Sequence, residues 1–296
     1  MLVESFRPGV AERLGIGYAT VSARNPRIVY CSISAFGHDG PYRDRPAHDL
    51  AVEALSGVLS ITEGRDGKPA IPGISGADYL SGLQGLAGVL MALLRRERTG
   101  RGDRVDITMH DSVLCATLNV LGPTLAENRQ PVTQHERTTG GAAFYQIYDT
   151  RDGRQLVLGG QERKFIENLL NDLGRPDLIA PCLRGPGPHQ RPVIDFLAGV
   201  FAQKTLAECM AWLGTLDVCF GPVNTLPEAL ADPGLAARGM ILRDEAGRRH
   251  IAPPIHFQHE PARPSLREPK LGEHTEQLLG SRGAALAGHV RRKADR

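Results

Sequence analysis

The sequence predicts an α/β protein. Two strand-like runs, "RIVYCSISAFG" (27–37) and "RVDITM" (104–109), bracket a long apolar stretch from about 79 to 97 with helical spacing. Strand and helix periodicities keep alternating beyond them, which favours layered sheets and helices. A chain of 296 residues can hold a large core and two lobes, because single cores rarely grow past roughly 250–300 residues.

Each element has its own reason. "RIVYCSISAFG" is a short apolar run ending in glycine and reads as a buried strand. "HDLAVEALSGVLSI" (48–61) spaces Leu50, Ala54, Leu55, Val58 and Leu59 along one helical face. "EGRDGKPAIPG" (63–73) is turn chemistry. The helix over 79–97 is expected to bury Leu80, Leu83, Ala87, Leu90, Met91 and Leu94. Gly82, Gly85 and Gly88 each cost that helix stability relative to alanine, so close backbone packing is the expected return. Arg95, Arg96 and Arg98 suit its C-terminal dipole, and "TGRG" ends it. Asp111 is expected to cap a helix over 112–128. Polar residues 129–140 mark a lobe boundary. "FYQIYDTRDGRQLVLGG" (144–160) reads as a hairpin turning at Asp152 and Gly153. Residues 162–174 read as an amphipathic helix, and 191–217 as a helical pair joined at Lys204 and Thr205.

Composition excludes several classes. The net charge is +2, from 35 basic and 33 acidic residues, so no surplus points to nucleic acid or an anionic membrane. Cys31, Cys115, Cys182, Cys209 and Cys219 are scattered and form no CxxC pair, which argues against a disulfide framework or a thiolate zinc site. "HIAPPIHFQH" (250–259) lacks the H-E-x-x-H pattern, and no metal is expected. The apolar run around 86–94 is too short to cross a bilayer, and the opening "MLVESFRPG" is unlike a signal peptide. The expected compartment is the cytoplasm. The sequence holds no dinucleotide glycine motif after a strand, no Walker lysine loop and no G-x-S-x-G elbow.

The chemistry then rests on one carboxylate. Asp78 stands at the mouth of the long helix, beside the small residues Gly76, Ala77, Ser81 and Gly82. It either caps the helix or serves as nucleophile or base, kept ionised by the helix N-terminus, and the two roles are compatible. His48 opens the preceding helix-like segment, and Glu162 opens the helix after "VLGG". Each also has a plain structural reading, an exposed histidine and a dipole-favoured acid.

"VESFRPGVAERLGIGY" (3–18), "NPRIVYCSISAFGHDGPY" (25–42), "HDLAVEALSGVLS" (48–60), "GADYLSG" (76–82) and "RRERTGRGDRVDITMHDSVL" (95–114) stand in that order, followed by "DVCFGPVNTLPEALADPGLAARGM" (217–240) and "PKLGEHTEQLL" (269–279). Together they resemble the class III CoA-transferase family, which includes carnitine CoA-transferases, formyl-CoA transferases and α-methylacyl-CoA racemases. The resemblance implies a Rossmann-like large domain, a smaller α/β domain and an interlocked homodimer. It divides the chain into 1–128 (large domain), 129–225 (small domain) and 226–296 (a segment returning to the large domain). The family normally begins with a further segment before the "FRPG" motif. The expectation is therefore a sheet without its first strands, "RIVYCSISAFG" short of neighbours, and a chain that alone is poorly soluble or weak in CoA binding.

For the site, the resemblance implies Asp78 as a transferase nucleophile that attacks an acyl-CoA thioester and passes CoA to a carboxylic acid. It implies CoA contacts at Arg7, Phe36 and Gly37, and a loop with Gly140, Gly141 and Tyr145 over the site. A racemase branch carries His and Asp at 48–49, an acid where Glu162 stands, and "GGAPFY" where this chain has "GGAAFY" (140–145). There His48 and Asp78 would face opposite sides of an acyl-CoA α-carbon. The racemase pattern also has asparagine where Ile74 stands, so the transferase reading is preferred. An inactive or pseudo-enzyme subunit is the third reading.

Overall fold

The structure, a computed structural model, describes residues 1–280. It divides into two compact units, Met1–Val223 and a second beginning at Asn224.

The first unit opens with a parallel sheet in the order β1 (Leu2–Glu4), β2 (Val29–Ser34), β3 (Asp103–Thr108). Val29, Tyr30, Cys31 and Ser32 of β2 are buried, as a central parallel strand covered on its faces requires. "RIVYCSISAFG" is therefore not short of neighbours: β2 pairs on both sides, and β1 and β3 form the edges. Helices α1 (Val10–Arg13) and α2 (Tyr18–Arg24) join β1 to β2, while α3 (Asp49–Leu55) and α4 (Gly76–Thr99) join β2 to β3. Beyond β3 come α5 (Met109–Cys115) and α6 (Leu118–Glu127).

Two helices differ from expectation for local reasons. The segment over 48–61 breaks at Gly57, whose φ of 85° ends α3, and only a short 3-10 turn, Val58–Ser60, follows. The helix expected from 112 starts earlier, at Met109. Its cap is Thr108, whose side chain accepts the Asp111 N–H at 2.9 Å. Asp111 is a first-turn residue rather than the cap.

The largest correction concerns α4. Its buried residues are Gly76, Ala77, Ser81, Gly85, Val89 and Ala92, the small face of the helix. Leu83, Leu90, Met91 and Leu94, expected in the core, are exposed, together with Tyr79 and Leu86. The sheet decides this. A Cβ on Gly85 would come within 2.9 Å of Ile33 Cδ1, and one on Gly88 within 2.7 Å of Val105 Cγ1. The helix axis lies so close to β2 and β3 that large side chains fit only on its outer face. Gly82 obeys a different rule, since a Cβ there would meet nothing within 4 Å. The continuous helix is 24 residues, longer than the apolar run judged too short to cross a bilayer, and its length and apolar content alone would suffice. Its glycine face is packed against the sheet like the core helix of an α/β layer.

The rest of the first unit is an antiparallel sheet of β4 (Gln146–Asp149), β5 (Gln155–Leu158) and β6 (Phe220–Pro222). It packs with α7 (Arg163–Asp172), α8 (Ile179–Leu183), α9 (Arg191–Phe201) and α10 (Leu206–Leu213) around Leu156, Ile166, Leu170, Leu197 and Phe201. The joint between α9 and α10 is the expected one, with Thr205 and Glu208 forming a reciprocal capping box. In the second unit, α11 (Leu226–Leu230) and α12 (Pro233–Ala237) precede a hairpin of β7 (Ile241–Arg243) and β8 (Arg249–Ile251), and α13 (Thr275–Leu279) follows.

Two glycines in helices should respond oppositely to substitution. Gly88→Leu should destabilise the fold by about 1–3 kcal/mol through overpacking against Val105. Gly199→Ala, inside α9 with nothing within 4 Å of a Cβ there, should stabilise by about 0.4–1 kcal/mol. Urea denaturation of both variants checks the pair.

Candidate active site

A helix leaves its first N–H groups without partners. At the start of α4, Ser75 occupies the cap position but makes no side-chain cap bond. The partners come from α3 instead. Glu53 Oε1 accepts the Gly76 N–H at 3.0 Å. Asp49 Oδ1 accepts the N–H groups of Ala77 at 2.8 Å and Asp78 at 3.1 Å. Two carboxyl groups of one helix thus cap another in trans. Asp78, the third residue of α4, does not cap it. Its side chain is exposed, and no hydrogen bond reaches its carboxylate among the described residues.

The carboxylate of Asp78 faces a cavity of about 500 Å³. Arg7, Phe36, Arg43, Arg45 and His48 line it, and Ser81 and Gly82 supply its small-residue wall. His48 and Asp78, thirty positions apart in sequence, both line it, and Asp49, the neighbour of His48, accepts the Asp78 N–H. The Arg7 loop is tied down by Glu4, whose Oε2 accepts the Phe6 N–H at 2.8 Å. Ser32 Oγ donates to the other Glu4 oxygen and lies 2.6 Å from His38 Nε2. Phe36 sits between the rings of Tyr42 and His110, with centroids at 5.5 and 6.0 Å. Arg45 lies over the Tyr42 ring, and Arg43 pairs with exposed Asp44. Three arginines among the lining residues bring positive charge suited to phosphate or carboxylate to the cavity that Asp78 also lines.

Other candidates lie elsewhere. Gly37 does not line the cavity. With φ of 85° it turns the chain after Phe36, and its N–H donates to Ser34 Oγ at 3.0 Å. Gly140, Gly141 and Tyr145 are also outside it. A Cβ on Gly141 would lie 2.3 Å from the His135 carbonyl carbon, so this glycine serves a close backbone crossing. Ala142, Ala143 and Phe144 after it are buried, which fixes that loop to its own core. Glu162 is the exposed cap-position residue of α7 and makes no side-chain cap bond. None of these five residues lines the Asp78 cavity.

Glu53, Arg43 and Arg45, and the capping role of Asp49, escaped the sequence reading. The signal for the two acids was weak: an acid at a helix start and another one turn on, where helical periodicity assigns only an apolar face. The signal for the arginines was the pair in "GPYRDRP" (40–46), a loop whose fold over the cavity no local pattern reveals.

A model of CoA-transferase family III matches residues 1–275. The chain belongs to CoA-transferase family III. Among similar proteins, an acyl-CoA transferase of Fusarium pseudograminearum is 32% identical over the whole chain, which spans 66% of that protein. The α-methylacyl-CoA racemase of Homo sapiens is 34% identical over 94% of the chain and 73% of its own length. A solved CaiB/BaiF family protein from Brucella suis superposes with a TM-score of 0.74 at 28% identity, covering 97% of this chain and 75% of that one. As a family III member, the chain is an enzyme of the CoA-transferase and racemase group.

The trans cap predicts an asymmetry in this family III chain. Asp49→Ala should cost about 0.5–2 kcal/mol, the usual loss of a helix cap, whereas Ser75→Ala should be nearly neutral despite its cap position. Thermal and urea denaturation of the two variants measures this.

Proposed function

We propose that this protein is an acyl-CoA:carboxylate CoA-transferase in which Asp78 forms a covalent intermediate. One observation carries the reading: the Asp78 carboxylate stands free at a helix N-terminus, in a cavity with three arginines. Because Asp49 and Glu53 cap the helix, the Asp78 carboxylate has no backbone N–H groups to hold and is available to attack.

Asp78 attacks the donor thioester carbonyl, and the C–S bond breaks to release CoA thiolate and a mixed anhydride. The thiolate attacks the aspartyl carbonyl and expels the donor carboxylate, leaving an aspartyl-CoA thioester. The acceptor carboxylate attacks that thioester, giving a second anhydride and thiolate. The thiolate then attacks the acceptor carbonyl and returns the Asp78 carboxylate. No proton or electron is gained or lost overall. Each tetrahedral stage needs hydrogen-bond donors at its oxyanion. Arg7, Arg43 and Arg45 suit the CoA phosphates or the acceptor carboxylate. The family's two-subunit architecture makes a homodimer the proposed working form.

A second reading is favoured by His48 lining the same cavity and by the identity to the human racemase. There His48 and Asp78 would exchange the α-proton of an acyl-CoA. Incubation with acyl-CoAs in deuterated water, with and without carboxylic acids, separates the two by mass spectrometry. The transferase reading expects CoA exchange only with an acceptor and no α-deuteration. Asp78→Ala should abolish turnover, and His48→Ala should leave exchange nearly intact. Acceptor-independent α-deuteration that His48→Ala lowers by about 10²–10⁴ would establish the racemase reading instead.

A further inference from the structure

Glu53 is 2% exposed and forms no ion pair among the described residues. Its Oε1 holds the Gly76 N–H, while Oε2 is buried with no partner. A Cβ on residue 76 would lie 2.6 Å from Oε1, so glycine at this position is what lets the carboxyl reach the helix end. Gly76 is two residues from Asp78 on the first turn of α4.

We propose that Glu53 is a positioning residue for Asp78, fixing the first turn of α4 through Oε1 and the Gly76 N–H. The inference rests on the reading of Asp78 as the reactive carboxylate. An ionised Glu53 would bury a charge with one oxygen unpaired, beside two other acids, which is unfavourable. Burial, then the charges of Asp49 and Asp78, push its pKa above the ordinary glutamate value, against the lowering effect of the backbone N–H groups. Glu53 therefore holds the turn as a neutral acid until the pH passes that raised value. Asp49 on its own helix and Asp78 on α4 are the acids facing it. α5, also packed on α3, carries His110 and Asp111, which pair with each other at 3.5 Å, and the Val58–Ser60 turn brings no ionisable group.

The test uses the full chain with isotope-labelled Glu and Asp carboxyl carbons, followed by NMR titration, with Glu53→Gln, Glu53→Ala and Asp78→Ala. The Glu53 resonance, assigned by its loss in Glu53→Gln, should titrate above the ordinary range. The carboxyl signal of Asp78 should move as Glu53 ionises, a response absent in Glu53→Gln. The Gly76 amide should keep its exchange protection in Glu53→Gln, which retains an acceptor, and lose about tenfold in Glu53→Ala. A raised folded-state pKa stabilises below the unfolded value and is lost as pH rises through the folded one. Glu53→Gln should therefore be more stable than the parent at neutral pH, with the gap closing as pH falls. If the Asp78 signal does not respond to the ionisation of Glu53, the proposal is overturned; Gly76 protection in Glu53→Ala equal to the parent's would overturn it too. If Glu53→Ala does not fold, the Glu53→Gln titration alone decides. Turnover surviving in Asp78→Ala would end the nucleophile reading while leaving the Gly76 and titration results standing, so the two failures are distinguishable.

Discussion

Much of the first unit depends on how α4 begins. A 24-residue helix ends in a ring of unpaired N–H groups, and here a neighbouring helix satisfies them with Asp49 and Glu53. That arrangement fixes the angle and height of α4 against α3. It also removes from Asp78 the ordinary task of an acid at a helix mouth. A carboxylate that caps its own helix spends its lone pairs on backbone N–H groups, whereas one relieved of capping can meet a substrate.

The sheet applies the second constraint. Gly85 and Gly88 let α4 approach β2 and β3 until Ile33 and Val105 touch its backbone. Close seating on the sheet and trans capping by α3 locate the first turn from two directions. Gly82, on the same spacing, is free of the sheet and opens onto the cavity instead. One repeated residue type thus does two jobs, close packing along the helix and room for a ligand at its start.

The strands and most helices were legible because period and turn residues are local signals: β2, β3, the hairpin at Gly153 and the capped joint at Thr205 all follow from them. The buried face of α4 was not legible. Hydrophobic periodicity assigns large residues to the core, yet here the neighbouring sheet admits only small ones, and Leu90, Met91 and Leu94 face outward. At the site, Asp78 and Arg7 were reached through ordered motifs, and His48 through its place in the family pattern. The capping roles of Asp49 and Glu53 were hidden because their partners are backbone groups 23 to 29 positions away, which no local pattern encodes.

The central claim is that Asp78 itself enters the reaction. Supplying an acceptor carboxylic acid labelled with heavy oxygen and analysing the peptide that contains Asp78 tests this directly. In the covalent route the acceptor's oxygen bridges the second anhydride and stays on aspartate when the thiolate departs with the acyl group. The account predicts one heavy oxygen in the Asp78 carboxylate after a single turnover, rising towards two over many turnovers. Turnover to labelled product with an unlabelled Asp78 peptide would contradict it.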